Sequence, residues 1–386
     1  MEVSLTMKRT VALILLMLLC FEAVASSAEV ENSGSHRHIV ITFLGDCTLG
    51  NDEDGYKENN SRSFVSYAEK NGPEYFFSGL QSVIAHDDLT VANLECVFWE
   101  DGSTRNPTKT YCFRGPDSFV DILTGSSIEA VSFANNHNMD YGIEAAIHTT
   151  KILDDNGVAW FGMNMDDSDF SLVDDLCKTY IYEKDGIRIG FVAIYTSTWN
   201  KNIVLKNQAH KEQVQALKDS GCDLIIACLH GGREYGKKHD IDSFAQKYLG
   251  YGCDIVIGNH PHVLQGIEEC KEGTIVYCLG NCCFGGNTRI HAGAETCAVM
   301  QFDLEFDSGD STEYLGHTLT IWPAVPASEN DAGYVDYQPK LASGSLADRI
   351  MKQIQSDTRP YKLKLNPFVE GIGAVQDFVP NPKLAK

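Results

Sequence analysis

Short apolar runs alternate with amphipathic stretches along most of the chain. Runs rich in β-branched residues predict buried strands at residues 38–44, 89–94, 129–133, 223–229, 254–257 and 274–279. Apolar positions three and four residues apart predict helices at residues 141–156, 208–220 and 241–251. The Lys184-Asp185-Gly186 turn predicts a hairpin within residues 180–195, and further strands are predicted at 295–306 and 312–322. This alternation predicts a layered α/β fold with long sheets.

The first 25 residues have the pattern of an export signal. A basic start at Lys8-Arg9 precedes an apolar run at 11–21, and Ala23-Val24-Ala25 supplies the small residues of a cleavage site. The run is shorter than the roughly 20 apolar residues that a membrane-spanning helix needs. We therefore predict a cleaved signal peptide at residues 1–25 and an exported protein. An uncleaved anchor is the alternative.

Three further segments are predicted after the signal. Residues 26–37 are polar and form a flexible lead, residues 38–305 form the main domain, and residues 306–386 form a C-terminal extension. The extension is punctuated by prolines and carries one amphipathic helix at 345–355. We predict that the extension is an appendage without catalytic residues.

The charge balance excludes one large class of function. The 386 residues include 31 Lys and Arg against 53 Asp and Glu, which gives a formal net charge of −22. A strongly acidic surface repels phosphate backbones, so nucleic acid is not an expected partner. The 13 cysteines include no C-x-x-C pair, and many lie in or beside apolar runs. We therefore predict small buried side chains rather than a disulfide framework, with a structural zinc site as the alternative.

Polar residues repeatedly follow the ends of the predicted strands. Open α/β sheets place their ligand sites at the carboxyl ends of strands. The residues in this position are Asp46, Glu95, Asn136, His137, His230, His260 and His262. Each alone is compatible with a turn or a hydrogen-bonded structural role, but their shared position favours a metal or catalytic site. Carboxylate, amide and imidazole groups together can hold one or two divalent cations.

Six motifs around these residues occur in a characteristic order. They lie at residues 45–50, 93–95, 134–142, 229–235, 258–265 and 279–284. The series resembles the CapA family of poly-γ-glutamate capsule biosynthesis proteins over residues 38–305. That family is similar to the metallophosphoesterase (calcineurin-like) superfamily. The resemblance implies a four-layer α/β/β/α sandwich, with two sheets packed face to face and helices outside.

The resemblance also implies a role for each site residue. The metal ligands would be Asp46, Glu95, Asn136, His230, His260 and His262, with Glu95 bridging. His137 would be the catalytic acid, oriented by Asp140, and the ion would be manganese, zinc or iron.

The sequence departs from the family pattern at two points, of which the first affects the metal ligands and the second only the wall of the substrate site. Thr48 stands where the superfamily has a histidine, and Gly231-Gly232 stands where a tryptophan commonly follows the histidine. A second cation would have only Asp46, His262 and a share of Glu95, whereas the first would keep four ligands: Glu95, Asn136, His230 and His260. We therefore predict one tightly held ion and a second, weakly held one.

Three residues are predicted to contact substrate: Arg114, Arg233 and Asn281. Arg114 suits an anionic ligand, with a surface salt bridge as the alternative. Arg233 and Glu234 follow His230 closely, and we also expect them to orient the ligand imidazoles.

Two classes of function follow from the sequence. The first is an exported metal-dependent hydrolase, acting on a phosphoester or on the amide of a glutamate polymer. The second is a non-catalytic component of capsule assembly or export that keeps the metal site for binding or stability. The expected partners are an anionic polymer or phosphoester substrate and membrane components of capsule synthesis.

Overall fold

The computed structural model describes residues 36–57, 60–162, 178–196, 203–236, 240–309, 311–327 and 334–384. The predicted signal peptide and nearly all of the flexible lead lie outside the described residues. Within the described ranges, no helix is both long and apolar enough to span a membrane.

The described residues form eighteen strands. In chain order they are β1 (His36–Thr48), β2 (Leu89–Leu94), β3 (Val97–Phe98), β4 (Arg114–Gly115), β5 (Ala130–Ser132), β6 (Ala159–Phe161), β7 (Tyr180–Lys184), β8 (Ile187–Thr196), β9 (Leu224–Gly231), β10 (Ile255–Asn259), β11 (Ile267–Cys270), β12 (Gly273–Val276), β13 (Asn281–Phe284), β14 (Cys297–Ser308), β15 (Thr312–Val325), β16 (Lys340–Leu341), β17 (Ala374–Val375) and β18 (Val379–Pro380).

Two large sheets contain most of these strands. The first has the order β16-β15-β14-β1-β2-β5-β6, with β13 also paired to β1 and with β17 and β18 paired to β15. The second has the order β11-β12-β10-β9-β8-β7, and β3 and β4 form a small ribbon. In both sheets the central strands run parallel, so their carboxyl ends meet at one edge.

The described residues form seven α-helices, and all but the last cover the outer faces of the sheets. They are α1 (Phe64–Asn71), α2 (Gln81–Ile84), α3 (Val120–Thr124), α4 (Ile143–Asp155), α5 (Ile203–Asp219), α6 (Asp242–Tyr251) and α7 (Gly344–Thr358). Helices α1 to α4 pack on the outer face of the first sheet, and α5 and α6 pack on the outer face of the second. The predicted α/β/β/α sandwich is therefore the observed architecture.

Strand β9 shows why the two sheets pack face to face. Every residue of β9 is buried, and the side chains alternate between two separate cores. Leu224 and Ile226 point into the core between the sheets, whereas Ile225 and Ala227 point toward helices α5 and α6. A strand that is apolar on both faces can be buried only between two layers.

The C-terminal region is part of the main domain, and the predicted boundary at residue 305 needs correction. That boundary falls inside β14, which pairs with both β1 and β15. Ala347, Ile350 and Ile354 of α7 are fully buried in the core between the sheets. The apolar face of this helix covers the sheet sandwich instead of forming an appendage.

Helix α7 also approaches the candidate site. Gln353, Ser356 and Asp357 line a cavity of about 510 Å³, together with Tyr235 and the 263–265 segment. Tyr235 directly follows Glu234, and the 263–265 segment directly follows His262. The sequence assigns both Glu234 and His262 to the site.

Most of the described cysteines are small buried side chains, as predicted. The eleven within the described residues are unpaired, and nine of them are buried. Cys20 and Cys177 lie outside the described residues.

Candidate metal centre

Strand register brings the predicted ligands to one edge of the sandwich. In the first sheet, Asp46 of β1 lies opposite Asn93 of β2 and Asn281 of β13. In the second sheet, His230 of β9 lies opposite Asn259 of β10. Because these strands are parallel neighbours, the loops that follow them converge on the cleft between the sheets.

A close backbone approach fixes the position of Asp46. The Asp46 amide donates to the carbonyl of Gly280 at 3.1 Å. A Cβ atom on Gly45 would lie 1.9 Å from that same carbonyl oxygen. Only glycine therefore fits before Asp46, and the aspartate is held against the segment that leads into β13.

The first ligand group consists of Glu95, His230 and His260. Each offers one ligand atom, and the three atoms lie within 4.8 Å of one another. His230 Nε2 lies 3.5 Å from Glu95 Oε1 and 3.1 Å from His260 Nδ1. The side-chain oxygen of Asn136 also lies 2.7 Å from His230 Nε2. The four residues predicted to hold the tight ion are therefore brought together.

The second ligand group consists of Asp46, Glu95 and His262, again within 4.8 Å. His262 Nδ1 lies 3.1 Å from Asp46 Oδ2 and 2.8 Å from the side-chain oxygen of Asn281. Glu95 belongs to both groups, as expected of a bridging carboxylate. Asn281 contacts His262, so the structure gives it an orienting position, and its predicted contact with substrate stays a prediction.

The environment of Glu95 fits a divalent cation. Its side chain is completely buried, and neither carboxylate oxygen has a hydrogen-bond partner within the described residues. Burial alone would raise the pKa of Glu95, but the adjacent His230 and His262 lower it, so the carboxyl group favours its charged form. A buried carboxylate whose two oxygens accept no hydrogen bond, placed among imidazoles, is the donor set that a bound cation would satisfy.

Nearby charges shift the pKa values of the two histidines in the His260-Pro261-His262 segment in opposite directions. Burial and the neighbouring His230 and His262 lower the pKa of His260 well below its usual value. Burial likewise acts to lower the pKa of His262, but the carboxylates of Glu95 and Asp46 outweigh it and raise the pKa to about 9. A neutral imidazole is the form that binds a metal, so His262 must lose a proton when it becomes a ligand.

Backbone strain occurs at both of these histidines. His260 has φ of 98° and His262 has φ of 58°, in the left-handed region that non-glycine residues rarely adopt. Such strain persists where the surrounding structure demands it and clusters at functional sites. Here it turns both imidazoles toward the cleft on either side of Pro261.

His137 lies beside the ligand groups and is held by Asp140. His137 Nδ1 donates to Asp140 Oδ2 at 2.7 Å, which leaves Nε2 facing Glu95 Oε1 at 3.9 Å. Asp140 also accepts from the backbone N–H of Phe113 at 2.6 Å and forms an ion pair with Lys109. The Phe113 ring packs 4.4 Å from the His137 ring, centre to centre. The imidazole is therefore fixed in orientation, as the sequence predicts.

Two further asparagines belong to the site. Asn93 Nδ2 donates to Asp46 Oδ1 at 2.8 Å and lies 3.3 Å from His230 Nδ1. Asn135 donates to Asn93 at 3.3 Å and accepts from the His137 backbone at 3.0 Å. Both residues stand in the sequence motifs next to a predicted ligand, and that adjacency was the only signal available. They link the first sheet's ligands to those of the second.

The two predicted arginine contacts are occupied by carboxylates. Arg114 is buried, with Nε 3.0 Å from Glu53 Oε1, and it lies over the Tyr56 ring at 3.9 Å. Arg233 is mostly exposed and lies 3.6 Å from Asp240. Arg114 forms a salt bridge, as in the alternative, but its side chain is buried and does not lie on the surface. Neither arginine has a contact with the ligand groups among the described residues.

The fold and the site together define a four-layer α/β sandwich with a carboxylate and imidazole centre suited to divalent ions. The family model of the bacterial capsule synthesis protein PGA_cap matches residues 40–286. The chain belongs to that family.

Individual relatives agree with this assignment. The capsule biosynthesis protein CapA of Bacillus anthracis is 25% identical over 356 residues, which cover 87% of this chain and 77% of that protein. The PGA biosynthesis protein CapA of Bacillus subtilis is 23% identical and covers 78% of this chain and 77% of its own length. Among solved structures, a phosphatase of Mycoplasma pneumoniae is 13% identical with a TM-score of 0.42, over 74% of this chain and 94% of that one.

Proposed function

We propose that this capsule synthesis protein is an exported, divalent-metal-dependent hydrolase that acts on an anionic polymer or a phosphoester. The observation that carries the proposal is the shared position of Glu95 in two ligand groups. Structural polar residues are normally hydrogen-bonded when buried, whereas neither Glu95 oxygen has a hydrogen-bond partner within the described chain. A bound cation accounts for this arrangement.

The chemistry of such a site is hydrolysis. A bound divalent ion polarises a carbonyl or phosphoryl oxygen and lowers the pKa of a bound water. His137 is positioned to give a proton to a leaving group, because Asp140 holds Nδ1 and leaves Nε2 free toward the ligand groups. Asp140 acts through His137 by fixing its ring and its tautomer.

The choice of substrate class comes from the relatives. The two Bacillus relatives are named a capsule biosynthesis protein and a PGA biosynthesis protein. A glutamate polymer offers an amide bond for hydrolysis, and its carboxylates are attracted to bound cations. We therefore favour the amide of poly-γ-glutamate as the substrate, with membrane components of capsule synthesis as partners. Export is part of the proposal because the polymer of a capsule lies outside the cell.

One observation favours the non-catalytic alternative. Thr48 replaces an expected imidazole, and its hydroxyl donates to the backbone carbonyl of Glu95 at 3.3 Å. A site that has lost one ligand can retain an ion for stability and still lack a second ion for chemistry.

Activity with defined metals tests the proposal. The protein would be purified with EDTA and then assayed with Mn²⁺, Zn²⁺ or Fe²⁺ against poly-γ-glutamate and against a nitrophenyl phosphodiester. We expect metal-dependent cleavage that His230→Ala removes. His36→Ala is the matched control, because His36 lies at the opposite end of β1 from Asp46 and contacts Glu305. Bound metal without cleavage of either substrate would support the non-catalytic alternative.

Sequencing the N-terminus of protein recovered from the medium or cell surface tests export. A start near Ser26 is the expected result. Retention of the first residues would contradict a cleaved signal.

A further inference from the structure

We propose that Glu234 is a ligand of the second metal ion and takes the place of the imidazole that position 48 lacks. This inference rests on the proposed metal centre. It changes the expected strength of the second site, because that ion would have four protein ligands instead of three.

The geometry places Glu234 with two of the ligand histidines. Glu234, His260 and His262 each offer one ligand atom, and the three atoms lie within 4.8 Å of one another. The two groups already described meet the same distance limit. His262 is common to this group and to the group of Asp46 and Glu95, so it joins Glu234 to the ligands of the second ion.

The loop that carries Glu234 is fixed to the loop that carries the histidines. The backbone N–H of Tyr235 donates to the carbonyl of Pro261 at 2.8 Å. The Tyr235 ring stacks on His291 at 3.6 Å and lies 5.8 Å from the His262 ring. Tyr235 itself has φ of 54°, which turns the chain immediately after Glu234. The carboxylate is therefore presented by a segment that is tied to Pro261, between the two histidines.

Residue 48 cannot supply the missing ligand. Thr48 is completely buried and donates its hydroxyl to the carbonyl of Glu95. An imidazole and a carboxylate are both good ligands for manganese, zinc and iron, so a carboxylate from another loop can replace the lost histidine chemically. Glu234 is exposed, in contrast to the buried Asp46 and Glu95. The replacement ligand would therefore lie on the solvent side of the ion.

Metal binding by variants of the full protein tests this inference. Metal-free wild type and Glu234→Gln would be titrated with Mn²⁺ by calorimetry, and the ions retained after dialysis would be counted by mass spectrometry. Glu295→Gln is the matched control, because Glu295 is also exposed and lines the same cavity as Tyr235. Circular dichroism and thermal unfolding would establish that each variant is folded.

The expected result is two ions per wild-type chain and a selective loss in one variant. Glu234→Gln should lower the affinity for the second ion by at least about tenfold. Even residues that only orient a metal ligand lower metal affinity by about 10–100-fold when they are changed. Its first ion should bind as in the wild type, and Glu295→Gln should match the wild type for both.

Three outcomes would overturn the inference. One is equal affinity for the second ion in Glu234→Gln and Glu295→Gln. Another is a wild type that binds one ion only, which would leave the first site and the proposed function standing. A wild type that binds no ion would overturn the proposed metal centre as well.

Discussion

Removal of the divalent ion should lower the thermal stability of the protein, and Glu95 should account for most of the effect. The Glu95 side chain is completely buried, and within the described residues its two oxygens have no hydrogen-bond partner. A buried polar group without a partner costs about 1–3 kcal/mol, and a charged group costs more. A cation that binds only the folded state would remove this cost.

The size of the stability change follows from binding linkage. An ion present at about 1,000 times its dissociation constant stabilises the folded state by about 4.1 kcal/mol. For domains of roughly 150–250 residues, each kcal/mol moves the melting temperature by about 2–4 °C. The described part of the chain is larger than this range. We therefore expect the lower end, a shift of about 8 °C between metal-loaded and metal-free protein.

Scanning fluorimetry with Mn²⁺ or with EDTA would measure the shift. Glu95→Gln keeps the shape of the side chain but removes its charge, so the shift should fall below about 2 °C. Glu183→Gln, on the exposed hairpin, should keep the wild-type shift. An equal shift in Glu95→Gln and wild type would refute the reasoning, because the ion would then be held without the bridging carboxylate.

Three further predictions concern other parts of the molecule. Asp140→Asn should reduce metal-dependent hydrolysis by about 10–100-fold without loss of bound metal, since it frees the His137 ring, and parallel rate and metal measurements check this. Burial lowers the pKa of His317 from 6.5 to about 4, so protonation of the unfolded chain should destabilise the fold as the pH falls through this interval. Between about pH 7.5 and about pH 5 this loss should be about 2 kcal/mol in denaturant titrations, and His317→Gln should abolish it. Truncation at residue 335 should prevent folding, seen by circular dichroism, because the removed helix α7 has Ile350 and Ile354 in the core between the sheets.

Local patterns were sufficient to predict most of the central elements. The helix predicted at 141–156 is observed as Ile143–Asp155, and the one predicted at 241–251 as Asp242–Tyr251. The hairpin prediction was also right, because Asp185 and Gly186 both adopt the positive φ that its two-residue turn needs. In each case the sequence pattern that predicts the element is confined to residues close together in the chain.

Elements that depend on distant contacts were missed or misjudged. Helix α1 is eight residues long and is stabilised by Ser63 at its N-cap and by burial of Phe64. So short a helix is marginal by itself and has little periodic signal. The sequence predicts an appendage because prolines interrupt the apolar pattern of the C-terminal region. In the structure, β15 pairs with β14 along nearly its whole length.

The same distinction applies to the site. Ligands at strand ends could be found because parallel strands bring their carboxyl ends together. Lys109 does not follow a predicted strand, so no sequence pattern places it at the site. Its ion pair with Asp140 depends on how the 105–113 segment folds back over the site. The sequence predicts an orienting role for Glu234, whereas the proposed ligand role depends on the hydrogen bond between the Tyr235 backbone and Pro261, which the sequence does not show.

The charge distribution explains why a cation is central to binding as well as to chemistry. The protein carries a formal charge of −22, and the proposed substrate is also anionic. Each positive side chain considered for the site is already paired: Arg114 with Glu53, Arg233 with Asp240, and Lys109 with Asp140. A carboxylate-rich polymer would be repelled by such a surface unless divalent ions supply positive charge at the cleft. The ligand groups around Glu95 would therefore attract the substrate with the same ions that activate water, which couples substrate binding to metal loading.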